Sequence, residues 1–344
     1  MITTTRDTDI REMTTFGLPA ECGILIEYTS PSDLPALFAE GALNNILPLG
    51  GGSNLLFTTG RFAGTVVHCA DRTITFGQPG ADGIVEVEAA AGVVLDELCA
   101  LTCGKGLWGL ENLSGIPGEI GGAAVQNVGA YGTEFKDVVA KVHCFDTVSG
   151  EYLTLDNAAC RYGYRDSVFK HLDQPNTLLV VGVTLHLTTL PSPSLGYAAL
   201  AARFAGASPS TLTPGMLREA ILTLRDGKLP APSQAGSAGS FFKNPVINAD
   251  SYDKLQRKLN KPVPGHVLPT GDVKLSAAWL IDNAGCKTFV AGGARVWQQQ
   301  PLVLVNADGN ATGADIVALE NAIRTVVQEQ FGISLEPEVI HIWA

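Results

Sequence analysis

The sequence predicts an α+β protein built from two or three lobes. Its 344 residues are too many for one small core, at roughly 100–200 residues per domain. Short strand-like runs bounded by glycine dominate the first half, hairpin signals follow in the middle, and helical spacing of apolar residues appears mainly beyond residue 214. This mixture predicts strand-rich and helix-containing regions within one folded chain.

Each element is predicted from its own pattern. Runs rich in valine, isoleucine and leucine indicate strands, and apolar residues three or four positions apart indicate helices. Thr312 can cap the last helix and Gly332 can end it. Strands are predicted at residues 23–28, 64–69, 83–92, 138–155 (a hairpin turning at Ser149-Gly150), 177–187, 301–306 and 338–343, and helices at residues 95–101, 214–228, 276–285 and 313–332.

Residues 188–210 interrupt this series of elements. The segment TTLPSPSLGYAALAARFAGASPS carries proline, serine and glycine without periodicity, and no helix is predicted until near Pro214. Such a stretch marks either a domain boundary or a long mobile loop. We therefore place a boundary of the chain between residues 213 and 214.

The composition excludes several functional classes. A net charge of −11 argues against nucleic-acid binding, which relies on broad basic surfaces. The longest apolar run, LLVVGVTL at 178–185, is far shorter than the ~20 residues that span a bilayer, and MITTTRDTDIREM has no apolar core, so we expect neither a membrane span nor a signal peptide. The seven cysteines lack C-x-x-C pairs and metal-ligand spacing, which predicts free thiols in the cytoplasm and no metal site.

Two glycine-rich segments are candidates for ligand binding. In LGGGSNLLF (49–57), three glycines before Ser53 and Asn54 can present consecutive amides to an anion, although a tight turn alone is about as common. The segment 114–132 has few charges and small residues throughout, which suits close approach of backbone to a ligand better than an ordinary surface loop. By contrast GKGLWG (104–109) follows a predicted helix, so we expect a C-cap glycine there and not a Rossmann fingerprint.

Several charged residues stand out, and each has a plain alternative. Arg165 follows Tyr164 in YGYRDSVFK (162–170) and is by default a surface ion pair with the next aspartate. Glu338, beside a proline in LEPEV, is by default an edge-strand charge. Three more cations, by default exposed at helix ends, are Arg225, Lys228 and Lys287.

Ser240 lies between glycines and two phenylalanines in AGSFFKNP (238–245). A serine nucleophile needs a neighbouring base and usually a G-x-S-x-G elbow, which this segment lacks. The nearest histidine in sequence is His266, and no relay is evident. We therefore expect Ser240 in a glycine-flanked loop, without a role as a nucleophile.

Six segments in this order resemble those of the UDP-N-acetylenolpyruvoylglucosamine reductases, which are flavoenzymes of peptidoglycan precursor synthesis. The resemblance covers residues 15–339, nearly the whole chain. It implies a two-lobed FAD-binding domain of the vanillyl-alcohol-oxidase/para-cresol-methylhydroxylase type, which has no Rossmann fingerprint, plus an α/β substrate-binding domain. The segments are GGGSNLLF, SGIPGEIGGAAVQNVGAYG, CRYGYRDSVFK, GSAGSFFKNP, SAAWLIDNAG and LEPEV.

The resemblance also assigns the four chain segments. Residues 1–70 and 71–213 would be the two FAD-binding lobes, residues 214–330 the substrate-binding domain, and residues 331–344 a strand that returns to the active site. Residues 188–210 are similar to the loop of the longer family type, whose tyrosine covers the nucleotide-sugar and would here be Tyr197.

A set of site residues follows from the same resemblance. Some flavoenzymes of this fold attach FAD through a histidine in the glycine loop; Ser53 stands there instead, so FAD should be non-covalent. The implied catalytic residues are Arg165, Ser240 and Glu338. The implied substrate contacts are Tyr164, Tyr197, Lys228, Asn244 and Lys287. The implied FAD contacts are Gly50, Gly51, Gly52, Ser53, Asn54, Ile116, Pro117, Gly118, Gly121, Gly122, Gln126, Asn127, Gly129, Ala130, Tyr131 and Arg225.

The implied reaction moves hydride from NADPH through FAD to the methylene carbon of UDP-N-acetylglucosamine enolpyruvate. Charge then grows on the substrate carboxylate, where the Arg165 guanidinium could bind through two N–H groups. Glu338 would help only in its neutral, protonated form, because a second carboxylate would repel that charge. Ser240 could give a proton to the neighbouring carbanion. Lys228 and Lys287 would meet the phosphates, and Asn244 would support substrate or Ser240.

Two other functions are weighed against this one. A flavin oxidase of the same fold would need a substrate-facing base and access for oxygen, and the resemblance at Arg165, Ser240 and Glu338 argues against it. A UDP-sugar-binding sensor that has lost its flavin would be colourless when purified.

Overall fold

A computed structural model describes residues 1–231 and 234–343 of the chain. By their contacts the residues divide into two compact units. Residues 232–233 and 344, which fall within our last two predicted segments, lie outside the described part. Unit 1 comprises Met1–Thr8, Cys22–Gly52 and Ala63–Asp226, and unit 2 comprises Asp9–Glu21, Ser53–Phe62 and Gly227–Ala344.

The described residues form twenty strands and eight α-helices. In chain order, the strands β1 to β20 are Ile2–Asp9, Glu21–Tyr28, Ile46–Leu49, Leu55–Phe57, Arg61–Cys69, Ile74–Phe76, Ile84–Ala90, Gly129–Ala130, Thr133–Glu134, Val139–Asp146, Tyr152–Asp156, Leu178–Thr188, Gly236–Ser240, Val246–Ile247, Gly265–Val267, Val273–Leu275, Val290–Ala291, Ala294–Val296, Val303–Asn306 and Ile340–Ile342. The helices α1 to α8 are Leu34–Ala39, Leu95–Gly104, Ile120–Gln126, Ala198–Arg203, Pro214–Asp226, Ala249–Leu259, Ala277–Asn283 and Gly313–Phe331.

Unit 1 is organised around a five-stranded sheet of order β11-β10-β12-β7-β6. All its neighbouring strands are antiparallel, as the hairpin signals predict. The central strand β12 is apolar almost throughout and nearly all of it is buried, whereas β7 alternates buried and exposed residues. A second sheet of order β1-β2-β5-β3 is formed largely by residues of this unit.

Unit 2 packs three helices with small sheets of order β13-β19-β18-β17 and β14-β16-β15. Its longest helix, α8, begins at a capping box in which Thr312 Oγ1 accepts from the Asp315 amide, while Asp315 accepts from the Thr312 amide. Gly332, with φ of 71°, ends the helix as predicted. The buried face of α8 includes Ile316, Ile323 and Val327.

Strand β20 adds the last part of the chain to unit 2. It pairs in parallel with β4, Ile340 opposite Leu55 and Ile342 opposite Phe57. The C-terminal strand predicted at 338–343 is therefore present but shorter.

Four sequence expectations need correction. The stretch 188–210 is not without structure before Pro214, because it contains α4. No helix was predicted in the glycine-rich stretch 114–132, but α3 lies within it. Ser240 lies at the end of strand β13 rather than in a loop. Strand β1 and helices α1 and α6 were not predicted at all.

The helix at Pro214–Asp226, which we expected to open the substrate-binding domain, belongs to unit 1 by its contacts. Its buried Leu217 packs with Trp108, and the helix lies against α2. The functional division of the chain into four segments stays a prediction.

All seven cysteines are buried, and none forms a disulfide. Burial raises the pKa of Cys103 and Cys144 to about 12 and that of Cys286 to about 11. In the ranges 1–231 and 234–343, no helix combines the length and apolar character needed to cross a membrane.

Candidate active site

The two glycine-rich segments of unit 1 meet at Gly51 and Gly118. A Cβ added to Gly51 would lie 2.9 Å from the Cα of Gly118, closer than real Cβ atoms come to other atoms. Gly52 takes a φ of 55°, which favours glycine. Within the described part of the chain, no backbone carbonyl accepts a hydrogen bond from the amides of Gly51 and Gly52. We call residues 50–52 together with Gly118, all of unit 1, the glycine cradle.

A buried carboxylate lies beside this cradle. Glu119 is 6% exposed, and its Oε2 lies 3.6 Å from where a Cβ on Gly50 would be. His68 and Arg72 both contact the carboxylate, at 3.3 and 2.9 Å, and Glu27 lies on the other side of His68 at 3.0 Å. Burial lowers the pKa of His68, but the hydrogen bonds and charges of Glu119 and Glu27 outweigh it and raise that pKa above its ordinary value. Arg72, together with His68 whenever its ring is protonated, offsets the charge of Glu119 where an anion would approach.

Helix α3 divides the predicted FAD contacts into two kinds. Gly121 is a packing glycine, because an added Cβ would lie 3.0 Å from the Ala91 Cβ and its amide already bonds to the Ala91 carbonyl. Gly122 is exposed and a Cβ there would meet no atom within 4 Å. The side chain of buried Asn127 bonds to the Gly163 carbonyl, Glu134 and the Lys136 amide, so its predicted contact could use only backbone.

Tyr131, Tyr197 and Arg225 come together elsewhere in unit 1. The two tyrosine rings meet edge to face with centroids 5.0 Å apart. Arg225 hydrogen-bonds to Tyr131, and burial lowers the pKa of its guanidinium. Thus Tyr197, a predicted substrate contact, touches the predicted FAD contact Tyr131, which in turn bonds to Arg225.

Asn112 joins these residues, and no sequence signal marked it. Its Nδ2 donates to the carbonyls of Tyr131, at 2.8 Å, and Ser194, at 3.0 Å, which ties the 188–210 segment to residues 129–132. Asn112 is fully buried, and its Oδ1 has no hydrogen-bond partner among the described residues. A buried amide oxygen of this kind normally finds a donor, so a bound molecule could complete it.

Arg165 is held in an unusual backbone conformation. Its φ of 56° lies in the left-handed region, which is rare for a large residue. The guanidinium donates to the Gly129 carbonyl at 2.6 Å and lies 5.3 Å from the centre of the Tyr164 ring. Lys170 donates to the Arg165 carbonyl at 2.7 Å. The default interpretation of Arg165 as a solvated surface ion pair does not fit these contacts.

Ser240 is positioned by a β-bulge in unit 2. Ser237 pairs with Val305 and Ser240 with Val303, so strand β13 carries one extra residue between them. Gly239, with φ of 69°, lies in the bulge. Bulges are frequent beside active sites because they redirect a side chain. The Ser240 residue is exposed.

Glu338 runs alongside the Ser240 segment. Its amide donates to the Phe241 carbonyl at 2.8 Å, and Pro337 bridges Phe242. The Glu338 carbonyl accepts from Asn54 Nδ2 at 3.1 Å, so the side chain of this predicted FAD contact is bound to the C-terminal segment. Unit 2 therefore places Glu338, which precedes β20, beside the segment that begins at Ser240.

The backbones of the two predicted phosphate-binding lysines bond to two adjacent residues, Trp297 and Gln298. The carbonyl of Lys228 accepts from Trp297 Nε1 at 3.2 Å, and that of Lys287 accepts from Gln298 Nε2 at 2.9 Å. Asn244 lies elsewhere in unit 2, where its Oδ1 accepts from the Ala277 amide at the start of α7.

The residues of unit 1 fit an FAD molecule. The amides of Gly51 and Gly52, which have no backbone acceptor among the described residues, suit a pyrophosphate, as in other backbone anion sites. Neither Gly51 nor Gly118 carries a side chain where they approach each other, and a Cβ on Gly122 would meet no atom within 4 Å. Seen from the geometry alone, the site suits a nucleotide cofactor.

A scan against protein families supports this interpretation. Residues 24–156 match a model described as an FAD binding domain. With the α+β fold, this match places the protein in the class of FAD-dependent flavoproteins, as the sequence predicts.

The match to residues 231–342 is narrower, since its model is described as the C-terminal domain of UDP-N-acetylenolpyruvoylglucosamine reductase. The chain is 41% identical over 335 residues to the UDP-N-acetylenolpyruvoylglucosamine reductase of Chromobacterium violaceum, covering 96% of this chain and 97% of that protein. It is 39% identical over 343 residues to the protein of the same name from Azoarcus sp., covering 98% and 97%. The chain belongs to the UDP-N-acetylenolpyruvoylglucosamine reductase family and is an FAD-dependent oxidoreductase of peptidoglycan synthesis.

A solved structure confirms the fold class. The crystal structure of the UDP-N-acetylenolpyruvylglucosamine reductase from Thermus caldophilus superposes with a TM-score of 0.69 and 24% identity, over 100% of this chain and 99% of that chain. At this identity the likeness speaks for the fold alone. Both the family and the fold class expected from the sequence are thus confirmed.

Proposed function

We propose that this protein reduces UDP-N-acetylglucosamine enolpyruvate to UDP-N-acetylmuramate, with NADPH as the hydride donor and FAD held without a covalent bond. The family relatives carry a name that describes this reductase. The observation that carries the proposal is the β-bulge that presents exposed Ser240 on the strand next to Glu338. Bound FAD would supply the carrier that accepts hydride from NADPH and passes it to the substrate.

Arg165 has the role of binding the substrate carboxylate. Hydride addition to the methylene carbon pushes negative charge onto that carboxylate, and a guanidinium already held by Gly129 and the Tyr164 ring needs little reorganisation to meet it. The left-handed backbone at Arg165 supports this role, because such strain is frequent at functional sites.

Ser240 gives the proton that completes the reduction. The carbon next to the carboxylate becomes a carbanion, which is basic enough to take a hydroxyl proton when water is excluded. Within the described residues no histidine contacts the Ser240 side chain as a base would, so a role as nucleophile lacks support.

Glu338 acts in its protonated form as a hydrogen-bond donor to the developing enolate. Only a neutral carboxyl stabilises a second negative charge nearby. The fixed backbone of Glu338, bonded to Phe241 and Asn54, supports a precise placement of this group.

The remaining contacts belong to the nucleotide-sugar. Lys228 and Lys287, whose carbonyls bond to the adjacent residues Trp297 and Gln298, are proposed to bind its phosphates. Asn244 and Tyr164 would be further contacts, and Tyr197 would cover the nucleotide-sugar. The proposal keeps residues 1–70 and 71–213 as FAD-binding lobes and residues 214–330 as the substrate-binding domain. It places the enzyme in the cytoplasm, acting on small molecules.

An anaerobic titration tests the function. The purified protein should be yellow. NADPH should bleach its flavin absorbance at about 450 nm, the usual region for FAD, and the enolpyruvyl sugar should restore that absorbance. Regain with oxygen alone would indicate an oxidase, and a colourless protein that binds the sugar would indicate a sensor. Release of all flavin on acid precipitation would support non-covalent binding.

A further inference from the structure

His341, in strand β20, faces an oxygen atom with each of its ring nitrogens. Its Nε2 lies 2.7 Å from Glu320 Oε2, and its Nδ1 lies 3.1 Å from the Val339 carbonyl oxygen. Both oxygens can only accept a hydrogen bond when Glu320 is ionised, and a neutral imidazole carries one N–H. Both bonds therefore form together only when the ring is an imidazolium.

The charges around His341 favour that state. Glu320 is 3% exposed on helix α8, and Arg324 lies 3.3 Å from its other oxygen. The side chains that face the ring from the residues just after β13 and just after β20, Phe241 and Trp343, are uncharged. A buried carboxylate needs cationic partners, and His341 is the less exposed of the two.

The imidazole ring of His341 also contacts the segment that begins at Ser240, beside which Glu338 lies. It packs edge to face on Phe241, with centroids 6.0 Å apart, and Phe241 directly follows Ser240. The Phe241 carbonyl accepts from the Glu338 amide, and the Ile340 amide donates to the Asn54 carbonyl. The contact between Glu320 of α8 and His341 of β20 is thus connected to the segments of both Ser240 and Glu338.

We propose that His341, as an imidazolium bound to Glu320 and to the Val339 carbonyl, is a positioning residue that keeps the Glu338 segment aligned with the Ser240 segment. This inference rests on the proposed function for the roles of Ser240 and Glu338. Two structural statements, that the His341 ring is charged and that it fixes the Glu338 segment, can be tested without substrate.

The pH dependence has a defined sign. The hydrogen bond to Glu320 raises the pKa of His341, against the opposing effects of burial and of Arg324. A group whose pKa is raised on folding stabilises the fold fully below its unfolded value, about 6.5. That stabilisation is lost as the pH rises through the higher folded pKa, so the contact weakens on the alkaline side.

The fluorescence of Trp343 reports the charge on the ring. The Trp343 indole stacks on His341, with centroids 6.1 Å apart and planes 20° apart, and a protonated imidazole quenches a stacked indole. The difference between the parent protein and Trp343→Phe isolates this signal. It should increase with pH, with a midpoint above about 6.5. Glu320→Gln should move the midpoint down, and Arg324→Gln, the matched control, should move it up. A midpoint at or below that of free histidine would overturn the charged-ring assignment.

Hydrogen exchange and rapid mixing test the positioning. In His341→Gln, the amides of Glu338 and Ile340 should exchange faster, while those of α8 keep their protection. Reoxidation of the flavin by the enolpyruvyl sugar should slow about 10- to 100-fold, as small misplacements can cause, with reduction by NADPH unchanged. Arg324→Gln should leave both rates near normal. Unchanged exchange at Glu338, or equal slowing of both half-reactions, would contradict the proposal. A parent protein that the sugar never reoxidises would instead contradict the proposed function.

Discussion

The site residues of unit 1 and unit 2 are held by different kinds of contact. In unit 1, Asn127, Tyr131 and Arg165 all take positive φ angles of 45–56°, and side chains bonded to backbone carbonyls keep them there. In unit 2, Ser240 and Glu338 are held by backbone pairing between segments that are distant in sequence. The comparison teaches that unit 1 depends on individual residue identities, whereas unit 2 depends on strand register.

The largest effect is expected at Ser240, on the register side of this comparison. Ser240→Ala should bind FAD and be reduced by NADPH at a near-normal rate, because the backbone bonds of β13 do not involve the hydroxyl. Reoxidation by the enolpyruvyl sugar should fall by ~10²–10⁴, the usual cost of losing a general acid. Ser240→Cys should recover part of the rate. Rapid mixing measures both steps, and equal reoxidation rates in Ser240→Ala and parent would mean that another group gives the proton.

Arg165 tests the unit 1 side of the comparison, where residue identity is expected to matter. Arg165→Ala should slow reoxidation by ~10²–10³ and leave flavin reduction largely intact, since the charge it meets arises only in the second step. Arg165→Gly should be as slow but more stable than Arg165→Ala by about 1–2 kcal/mol, because glycine adopts the positive φ without strain. Urea unfolding measures the difference. Equal loss in both half-reactions would point to a structural role for Arg165.

Glu338 separates charge from register. Glu338→Gln should keep more activity than Glu338→Asp, because glutamine retains the shape and a donor of the neutral acid, whereas aspartate withdraws it. Neither change touches the backbone bonds to Phe241 and Asn54. Steady-state kcat of the two variants decides the matter. An active Asp variant with an inactive Gln variant would show that Glu338 works ionised.

The smallest effects are expected in α3, where two adjacent glycines form a matched pair. Gly121→Ala should destabilise the protein by about 1–3 kcal/mol, because its Cβ would press on Ala91. Gly122→Ala should preserve stability or raise it by up to about 1 kcal/mol, as alanine does in helices. If FAD approaches Gly122, that variant should still hold FAD less tightly, which flavin fluorescence on dilution would detect. Unaltered FAD affinity would remove Gly122 from the cofactor contacts.

Much of the fold could be predicted because local chemistry and tertiary structure agree there. Helix α8 begins at Thr312 and ends at Gly332, since its cap, its apolar face and its terminal glycine all indicate the same limits. Strand β1 escaped prediction because nearly every residue in it is exposed, so only pairing with another strand defines it. Helix α3 was not predicted because its glycines have low helix propensity. One of them, Gly121, instead allows close packing against Ala91.

The candidate site was predictable as a set of residue types and not as a set of contacts. The glycines of the cradle and the chemistry of Arg165 follow from sequence. The bulge before Ser240 does not, because it exists only through the register of β13 against β19. Asn112 and His341 carry no local signal either, since their partners lie up to 82 residues away and 21 residues away in the chain.

The burial of all seven cysteines also makes the protein a convenient background for chemical labelling. Only the thiolate reacts readily with alkylating reagents, and burial both shields these sulfurs and keeps them protonated near neutral pH. A single cysteine introduced at an exposed residue such as Glu336 would then be the one reactive thiol. A fluorophore attached there would report the movements of the segment that carries Glu338 without the removal of any native sulfur.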